Sequence, residues 1–193
     1  MSNYKNGLVE IKETENEVII GNNTLKRKFN KIITSSGIKI KTSFIYNILG
    51  SSSLIPQEDS EEFIICGLNK IIETEFIIIK ASKLTLNKIE ISNTNTLVNQ
   101  VNKNGKILTF KFNPITFGSG ELTVAEKFIM YDDDSFMRKF LELESTDNNM
   151  RIDYIDFEHL KLSESDKIWT IPTNRGGIVE MEDEVANLGQ PIY

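Results

Sequence analysis

Apolar and polar residues alternate with a period of two along much of this 193-residue chain. In the segment GIKIKTSF, every second side chain from Ile38 to Phe44 is separated from the next by a lysine or a serine, as in a strand that rests one face on a core. The segment KILTFKF repeats the pattern with Leu108, Phe110 and Phe112. Branched and aromatic side chains dominate these runs, and they favour a pleated sheet because they lose rotamer freedom in a helix. The sequence therefore predicts an all-β fold.

The remaining strands and the breaks between them indicate how the sheets are arranged. Further strands are predicted at residues 18–20, 62–66, 75–80, 83–92, 122–131, 136–144, 152–162 and 168–171. Polar breaks at NKNG (102–105), NPITFGSG (113–120) and STDNN (145–149) are typical of antiparallel sheets stacked in a sandwich. A change of apolar phase in KLTLNKIEIS predicts a β-bulge near Asn87 and Lys88. Because no linker divides the chain, we expect residues 1–193 to form one large antiparallel β-sandwich domain.

The net charge and the single cysteine limit which binding partners and which cellular compartment are expected. The net charge is −6 and the basic residues are spread along separate strands, whereas a phosphate backbone attracts clustered lysines and arginines. Cys66 is the single cysteine and lies in the apolar run FIIC, so it is interpreted as a buried filler rather than a nucleophile. No signal sequence or long apolar span is evident. We expect a cytoplasmic protein that binds neither nucleic acid nor membranes.

Three consecutive aspartates, Asp132, Asp133 and Asp134, invite comparison with a metal site. A calcium loop of the EF-hand type needs oxygen ligands at alternating positions, a central glycine and a final glutamate, and this cluster lacks that spacing and that glycine. The cluster instead lies between two predicted strands. It is predicted to form a hairpin turn whose carboxylates accept hydrogen bonds from nearby backbone.

A second acidic group lies in IDYIDFEHL, where Asp156 and Glu158 would share one face of a regular strand. Two carboxylates about 7 Å apart could flank a glycosidic bond or a metal. The alternating partners Ile155 and Phe157 offer a simpler explanation, namely a half-buried strand. His159 is the only histidine, so a zinc site with two histidines is not available and no catalytic partner is identifiable.

The chain offers few other candidates for chemistry. GSGEL (118–122) lacks the lysine of a phosphate loop, and serine-hydrolase and dinucleotide motifs are missing. The GSG is interpreted as a turn. Trp169, the only tryptophan, is the one candidate for substrate contact; it could stack on a sugar, although core packing is the favoured interpretation. We therefore predict no catalytic residue, no metal and no cofactor in this chain.

Several phrases in order carry a family resemblance. They are IGN with LKRKF (20–22 and 25–29), the spaced residues Gly37, Thr42, Ile45, Asn47 and Gly50, SEEF (60–63), DDDSFMRKFLELES (132–145), IDYIDFEHL (152–160) and LGQPIY (188–193). Together they resemble the N-terminal β-sandwich, a supersandwich of the galactose-mutarotase type, that precedes the catalytic barrel in α-galactosidase-like glycoside hydrolases. The resemblance covers nearly the whole chain.

The resemblance implies a domain without catalytic residues of its own, because the catalytic carboxylates of that family lie in the barrel. It implies packing against that barrel, and a pair between Arg138 and Glu142 after the acidic turn. The apolar ending LGQPIY suggests that the chain is a fragment of a longer glycosidase. Residues 51–60 and 174–177 are the candidate loops for contacting a substrate cleft or another subunit.

Two other functions remain open at this stage. One is an independent carbohydrate-binding module that uses Trp169. The other is a sugar isomerase or epimerase of the mutarotase type, which needs an acid and a base on opposite sides of the sugar ring. The resembling enzymes use histidines with a glutamate, and His159 alone supplies only part of that set.

Overall fold

The computed structural model describes residues 7–48, 51–68, 76–98, 101–117, 120–146, 151–161, 168–170 and 179–181. These residues form fifteen β-strands and one turn of 3₁₀ helix at Ala81–Lys83. The strands are β1 (Glu10–Glu13), β2 (Glu17–Gly21), β3 (Leu25–Thr34), β4 (Gly37–Asn47), β5 (Ser52–Leu54), β6 (Glu61–Leu68), β7 (Phe76–Lys80), β8 (Leu86–Val98), β9 (Val101–Phe112), β10 (Ile115–Phe117), β11 (Gly120–Tyr131), β12 (Arg138–Ser145), β13 (Arg151–His159), β14 (Ile168–Thr170) and β15 (Val179–Met181).

All strand pairings are antiparallel, and three sheets hold most of the strands. Sheet 1 has the order β1-β2-β3-β4-β5, and sheet 2 has the order β10-β11-β9-β8 with β12 also paired to β11. Sheet 3 has the order β13-β6-β7, and β14 pairs separately with β15. No helix in the described part of the chain is long and apolar enough to cross a membrane.

The three sheets share one apolar core in which sheets 1 and 3 pack against sheet 2. Phe29 of sheet 1 lies 4.9 Å from Phe110 and 4.8 Å from Phe128 of sheet 2, measured between ring centroids. Phe63 of sheet 3 lies 6.0 Å from Phe112 of sheet 2. All five rings are almost completely buried. Aromatic contacts at these distances stabilise the core between the sheets. The antiparallel sheets and their shared apolar core confirm the predicted all-β sandwich.

The alternation located most of the strands, and the predicted bulge is also confirmed. The pairing of β8 with β9 shifts register between Leu86 and Lys88. The polar break predicted at residues 102–105 is wrong, because NKNG lies inside β9. A Cβ on Gly105 would lie 2.3 Å from the carbonyl oxygen of Met130 on the neighbouring strand, so this glycine permits close strand approach rather than a turn.

Two other predicted breaks contain regular structure. Residues 115–117 of NPITFGSG form β10, and Phe117 is buried in the core. Within the candidate loop at residues 51–60, Ser52–Leu54 form β5 at the edge of sheet 1. The loop predicted at residues 174–177 and most of GSG lie outside the described residues.

Candidate functional site

The aspartate cluster forms the predicted turn between β11 and β12, but its hydrogen bonds come from a distant part of the chain. Asp132 Oδ1 accepts a hydrogen bond from the backbone N–H of Val9 at 2.8 Å, and Asp133 Oδ1 accepts one from Gly7 at 3.1 Å. Asp133 has a left-handed backbone with φ 63°, which aspartate tolerates in turns. The turn therefore fastens the N-terminal segment to sheet 2.

Asp134 differs from its two neighbours because it is buried. Its carboxylate forms an ion pair with Lys103, and Arg138 Nη1 lies 3.6 Å from Asp134 Oδ2. Glu142 instead pairs with Lys127. The pair between Arg138 and Glu142 that the resemblance implied is therefore not formed, since each side chain has another partner.

The second acidic group is arranged differently from the regular strand that was predicted. Glu158 has φ 58°, and this left-handed backbone ends the simple alternation of β13. Asp156 lies at the surface, 3.7 Å from His159 Nδ1, while Glu158 points into a buried cluster described below. Phe157 is 49% exposed, so the prediction that Ile155 and Phe157 would together bury one face is wrong for Phe157.

Two further candidates can be placed only in part. Cys66 is a free, buried thiol in the central strand of sheet 3, as predicted for a filler residue. Trp169 lies in β14, opposite Glu180 of β15, and its side chain is outside the part of the structure that is described. In the part of the chain that the structure describes, no group of histidine, cysteine, aspartate and glutamate side chains could hold a metal ion.

The structure brings together five charged side chains that the sequence analysis did not connect. This buried charge cluster consists of Arg27, Glu62, Glu126, Lys139 and Glu158, which come from β3, β6, β11, β12 and β13. It lies where the three sheets meet. Its members come from each of the three sheets, so the cluster can form only when the sheets have assembled.

Arg27 is the hub of the cluster on the side of sheet 1. Its guanidinium donates from Nη2 to Glu62 Oε2 at 2.6 Å, from Nη1 to Glu158 Oε1 at 2.8 Å and from Nε to Thr42 Oγ1 at 2.9 Å. The guanidinium carbon also lies 4.8 Å from the ring centre of Phe128. Charge-assisted bonds in three directions fix this side chain in one orientation.

Lys139 connects the same carboxylates to sheet 2. Its Nζ lies 2.8 Å from Glu126 Oε1 and 3.0 Å from Glu158 Oε1, and it donates to the backbone oxygen of Glu62. Glu126 is completely buried. Neither of its carboxylate oxygens has a hydrogen bond of acceptable geometry among the described residues, so its contact with Lys139 is electrostatic rather than a well-aligned hydrogen bond.

Burial and the neighbouring charges act in opposite directions on the cluster. Burial raises the pKa of Glu126 to about 7, because Lys139 compensates the lost hydration only in part. For Glu62 burial also raises the pKa, but the charges of Arg27 and Lys139 outweigh it, so the pKa falls below its ordinary value. Burial lowers the pKa of Lys139, and the surrounding carboxylates more than reverse this. With Glu126 protonated, two cations balance two carboxylates.

The alternation of the strands contains a signal for these residues, although they were not among the predicted site residues. Glu126 follows Val124 and precedes Phe128 at the apolar positions of β11, and all three are buried. Arg27 occupies the same kind of position between Leu25 and Phe29 in β3, where both neighbours belong to the core. A charge at an inward-facing position of an alternating strand needs a buried partner. The pattern thus indicates a buried ion pair, although it does not name the partners.

A pocket of about 380 Å³ opens beside the cluster. Its described lining consists of Leu25, Arg27, Ile45, Phe128, Ser135, Phe136, Met137, Lys139 and Glu158. Glu158 is the one carboxylate in that lining, and its side chain is 32% exposed. The pocket therefore combines apolar walls with a few fixed polar groups, which is the usual composition of a small-molecule site.

Comparison of the chain with protein-family models, with curated proteins and with solved structures found no match. Function must therefore be argued from the site. A glycosidase needs a pair of carboxylates that flank one glycosidic bond. Glu62 and Glu126 are buried, and among the described residues that line the pocket Glu158 is the only carboxylate. The described arrangement connects the three sheets through buried ion pairs.

Proposed function

We propose that this chain is a non-catalytic β-sandwich domain of an α-galactosidase-like glycoside hydrolase. In this role it packs against the catalytic barrel of the same protein and contributes a loop to the substrate cleft or to a contact between subunits. The barrel supplies the reaction chemistry. The buried charge cluster holds the three sheets of the sandwich in the arrangement that the barrel contacts.

The observation that carries this proposal is the convergence of the resembling phrases. Arg27 comes from LKRKF, Glu62 from SEEF, Lys139 from FMRKFLE and Glu158 from IDFEHL. Arg27 and Glu158 are 131 positions apart, yet they form a hydrogen bond. Four of the five members of the buried charge cluster thus lie in the resembling phrases, and Glu126 lies outside them. Their meeting supports a shared architecture.

The distribution of carboxylates supports the non-catalytic part of the proposal. Retaining and inverting glycosidases place two carboxyl groups on opposite sides of the scissile bond. In the described pocket, Glu158 has no second carboxylate facing it. Its Oε1 atom is also held by Arg27 and Lys139, and two nearby cations make a carboxylate a weaker nucleophile and base.

The outer face of sheet 3 supports packing against another domain. Ile78, Cys66 and Tyr154 are paired across β7, β6 and β13, so they form one row on the same face. Ile78 and Tyr154 are exposed, as is Phe76 on the same face. The central strand β6 is apolar on both faces, a pattern typical of strands that are covered on both sides.

Two measurements test the proposal. The chain should not release nitrophenol from a nitrophenyl α-galactoside, and any hydrolysis should match that of the Glu158→Gln variant. Turnover that depends on Glu158 would overturn the non-catalytic assignment. Sequencing the coding region downstream of residue 193 should reveal a barrel with paired aspartates, and a stop codon directly after that residue would contradict the domain assignment.

A further inference from the structure

We propose that the pocket beside the buried charge cluster binds a neutral, polyhydroxylated ring such as a hexose. The inference rests on the proposed function for the choice of a sugar among neutral ligands. The site is distinct from the barrel in which the proposed hydrolysis takes place. It would make this sandwich a second sugar-contacting surface.

The charge at the floor of the pocket selects a neutral ligand. Arg27 and Lys139 are both in direct contact with the carboxylates of Glu62 and Glu158, and Lys139 also contacts Glu126. A ligand carboxylate or phosphate would have to displace those carboxylates, and a ligand ammonium could reach Glu158 only beside the positive charges of Arg27 and Lys139. A neutral hydroxyl avoids both repulsions, and it can donate and accept hydrogen bonds.

Glu158 supplies a fixed acceptor for such a hydroxyl. Its Oε1 atom accepts a hydrogen bond from Arg27 Nη1 at 2.8 Å and lies 3.0 Å from Lys139 Nζ. Those two contacts orient the carboxylate, and among the described residues no hydrogen bond is made to Oε2. Glu158 lines the pocket and has a left-handed backbone with φ 58°, and strained residues of this kind cluster at functional sites.

The wall of the pocket suits the apolar face of a sugar ring. Phe136 lines the opening and is 47% exposed. Its ring is held by Arg138, whose guanidinium carbon lies 4.5 Å from the ring centre. Leu25, Ile45 and Met137 complete the apolar side. A sugar ring has C–H groups on its face and hydroxyls on its edge, and it could contact this wall and Glu158 at the same time.

The test is a titration of the chain with methyl α-galactopyranoside, galactose and glucose, followed by two-dimensional amide NMR. We expect saturable shifts around residues 135–139 and 158, with the weak affinity of a small ligand that has few atoms. Acetate and methylammonium at the same concentrations should produce no saturable shift there.

Variants locate the binding to this pocket. Phe136→Ala should weaken sugar binding by about tenfold, while Phe140→Ala should leave it unchanged. Phe140 is 45% exposed on β12 but does not line the pocket. Glu158→Gln should also weaken binding, and a thermal melt verifies that each variant is folded.

The outcomes separate this inference from the proposed function. No saturable shift with any of the three sugars, or equal affinity in Phe136→Ala, would overturn the sugar pocket while leaving the domain assignment intact. Hydrolysis of an α-galactoside that depends on Glu158 would overturn the domain assignment, whether or not Phe136 affects binding. Stronger shifts with acetate or methylammonium than with sugars would show that the pocket selects ions, and the inference would be wrong.

Discussion

Glu126 and Glu90 are two glutamates beside lysines, and their environments drive their pKa values apart. Glu90 lies on the outer face of sheet 2, 2.6 Å from Lys88 and 2.9 Å from Lys111, and hydrogen bonds from both lysines lower its pKa to about 2. Glu126 lies 2.8 Å from Lys139 on the inner face of the same sheet, and burial raises its pKa to about 7. A cation within 3 Å does not by itself decide the charge of a carboxylate.

The difference shows what water contributes to an ion pair. At the surface, solvent hydrates Glu90 and its lysines, so the pair adds to hydration already present. At the junction of the sheets the hydration is gone, and Lys139 must also serve Glu158 and the backbone of Glu62. A buried pair therefore depends on the whole cluster, whereas a surface pair can be changed without wider effects.

The largest effect on stability is expected when a cation is removed from the buried charge cluster. Arg27→Met should lower the free energy of unfolding by about 3–5 kcal/mol, because Glu62 would be left buried with an incomplete set of partners. Lys26→Met, on the exposed face of the same strand, should change it by less than about 0.5 kcal/mol. Urea denaturation of both variants measures the difference, and equal midpoints would show that the buried pairs do not stabilise the fold.

The pH dependence of the free energy of unfolding should distinguish the buried Glu126 from an exposed glutamate. Because its native pKa is about 7 and its ordinary value is 4.5, the native state holds the proton more tightly than the unfolded chain. The stabilising contribution is complete below pH 4.5 and is lost as the pH rises through 7. Between pH 5 and pH 8 the native protein should therefore lose on the order of 2–3 kcal/mol relative to Glu126→Gln.

Chemical denaturation at several pH values measures this change. Glu121→Gln is the matched control, since Glu121 is exposed on the same strand. The native protein and Glu121→Gln should share one pH profile, and Glu126→Gln should have a flatter one. Parallel profiles for all three proteins would contradict the raised pKa.

The smallest effect is expected at Glu90. Its lowered native pKa means that the stabilisation is present above pH 4.5 and is lost as the pH falls toward 2. Because the group is exposed, solvent and salt screen most of this effect. Glu90→Gln should therefore have a melting temperature close to that of the native protein at pH 7. Sodium chloride at about 0.5 M should remove the remaining difference in melting temperature. A large decrease in melting temperature would show that the pairs of Glu90 with Lys88 and Lys111 stabilise the fold despite their exposure.

The sequence predicted the faces of the strands better than the partners across them. Alternation identified the inward side chains Leu108, Phe110 and Phe112, all of which are buried, because periodicity is a local property of one strand. It failed at NKNG, where a glycine that usually marks a turn is required by a neighbouring strand. Close approach of two strands is a tertiary contact, and the residues of one strand do not reveal it.

The candidate site was less predictable for the same reason. The charge at Glu126 was visible in the pattern, but its neighbours Lys139 and Arg27 come from other strands. The sequence pattern placed Asp156 and Glu158 on one face of a regular strand, but Glu158 has a left-handed backbone and joins the buried charge cluster, while Asp156 lies beside His159. Backbone conformations of that kind are held by surrounding contacts rather than by the residue itself.

The position of the buried charge cluster at the meeting point of three sheets has a consequence for kinetics. The complete cluster forms only when β3, β6, β11, β12 and β13 are all in place, and we expect this to follow the rate-limiting barrier of folding. Variants of the cluster should then refold at nearly the native rate and unfold much faster. The cluster would then determine the lifetime of the folded sandwich by slowing its unfolding.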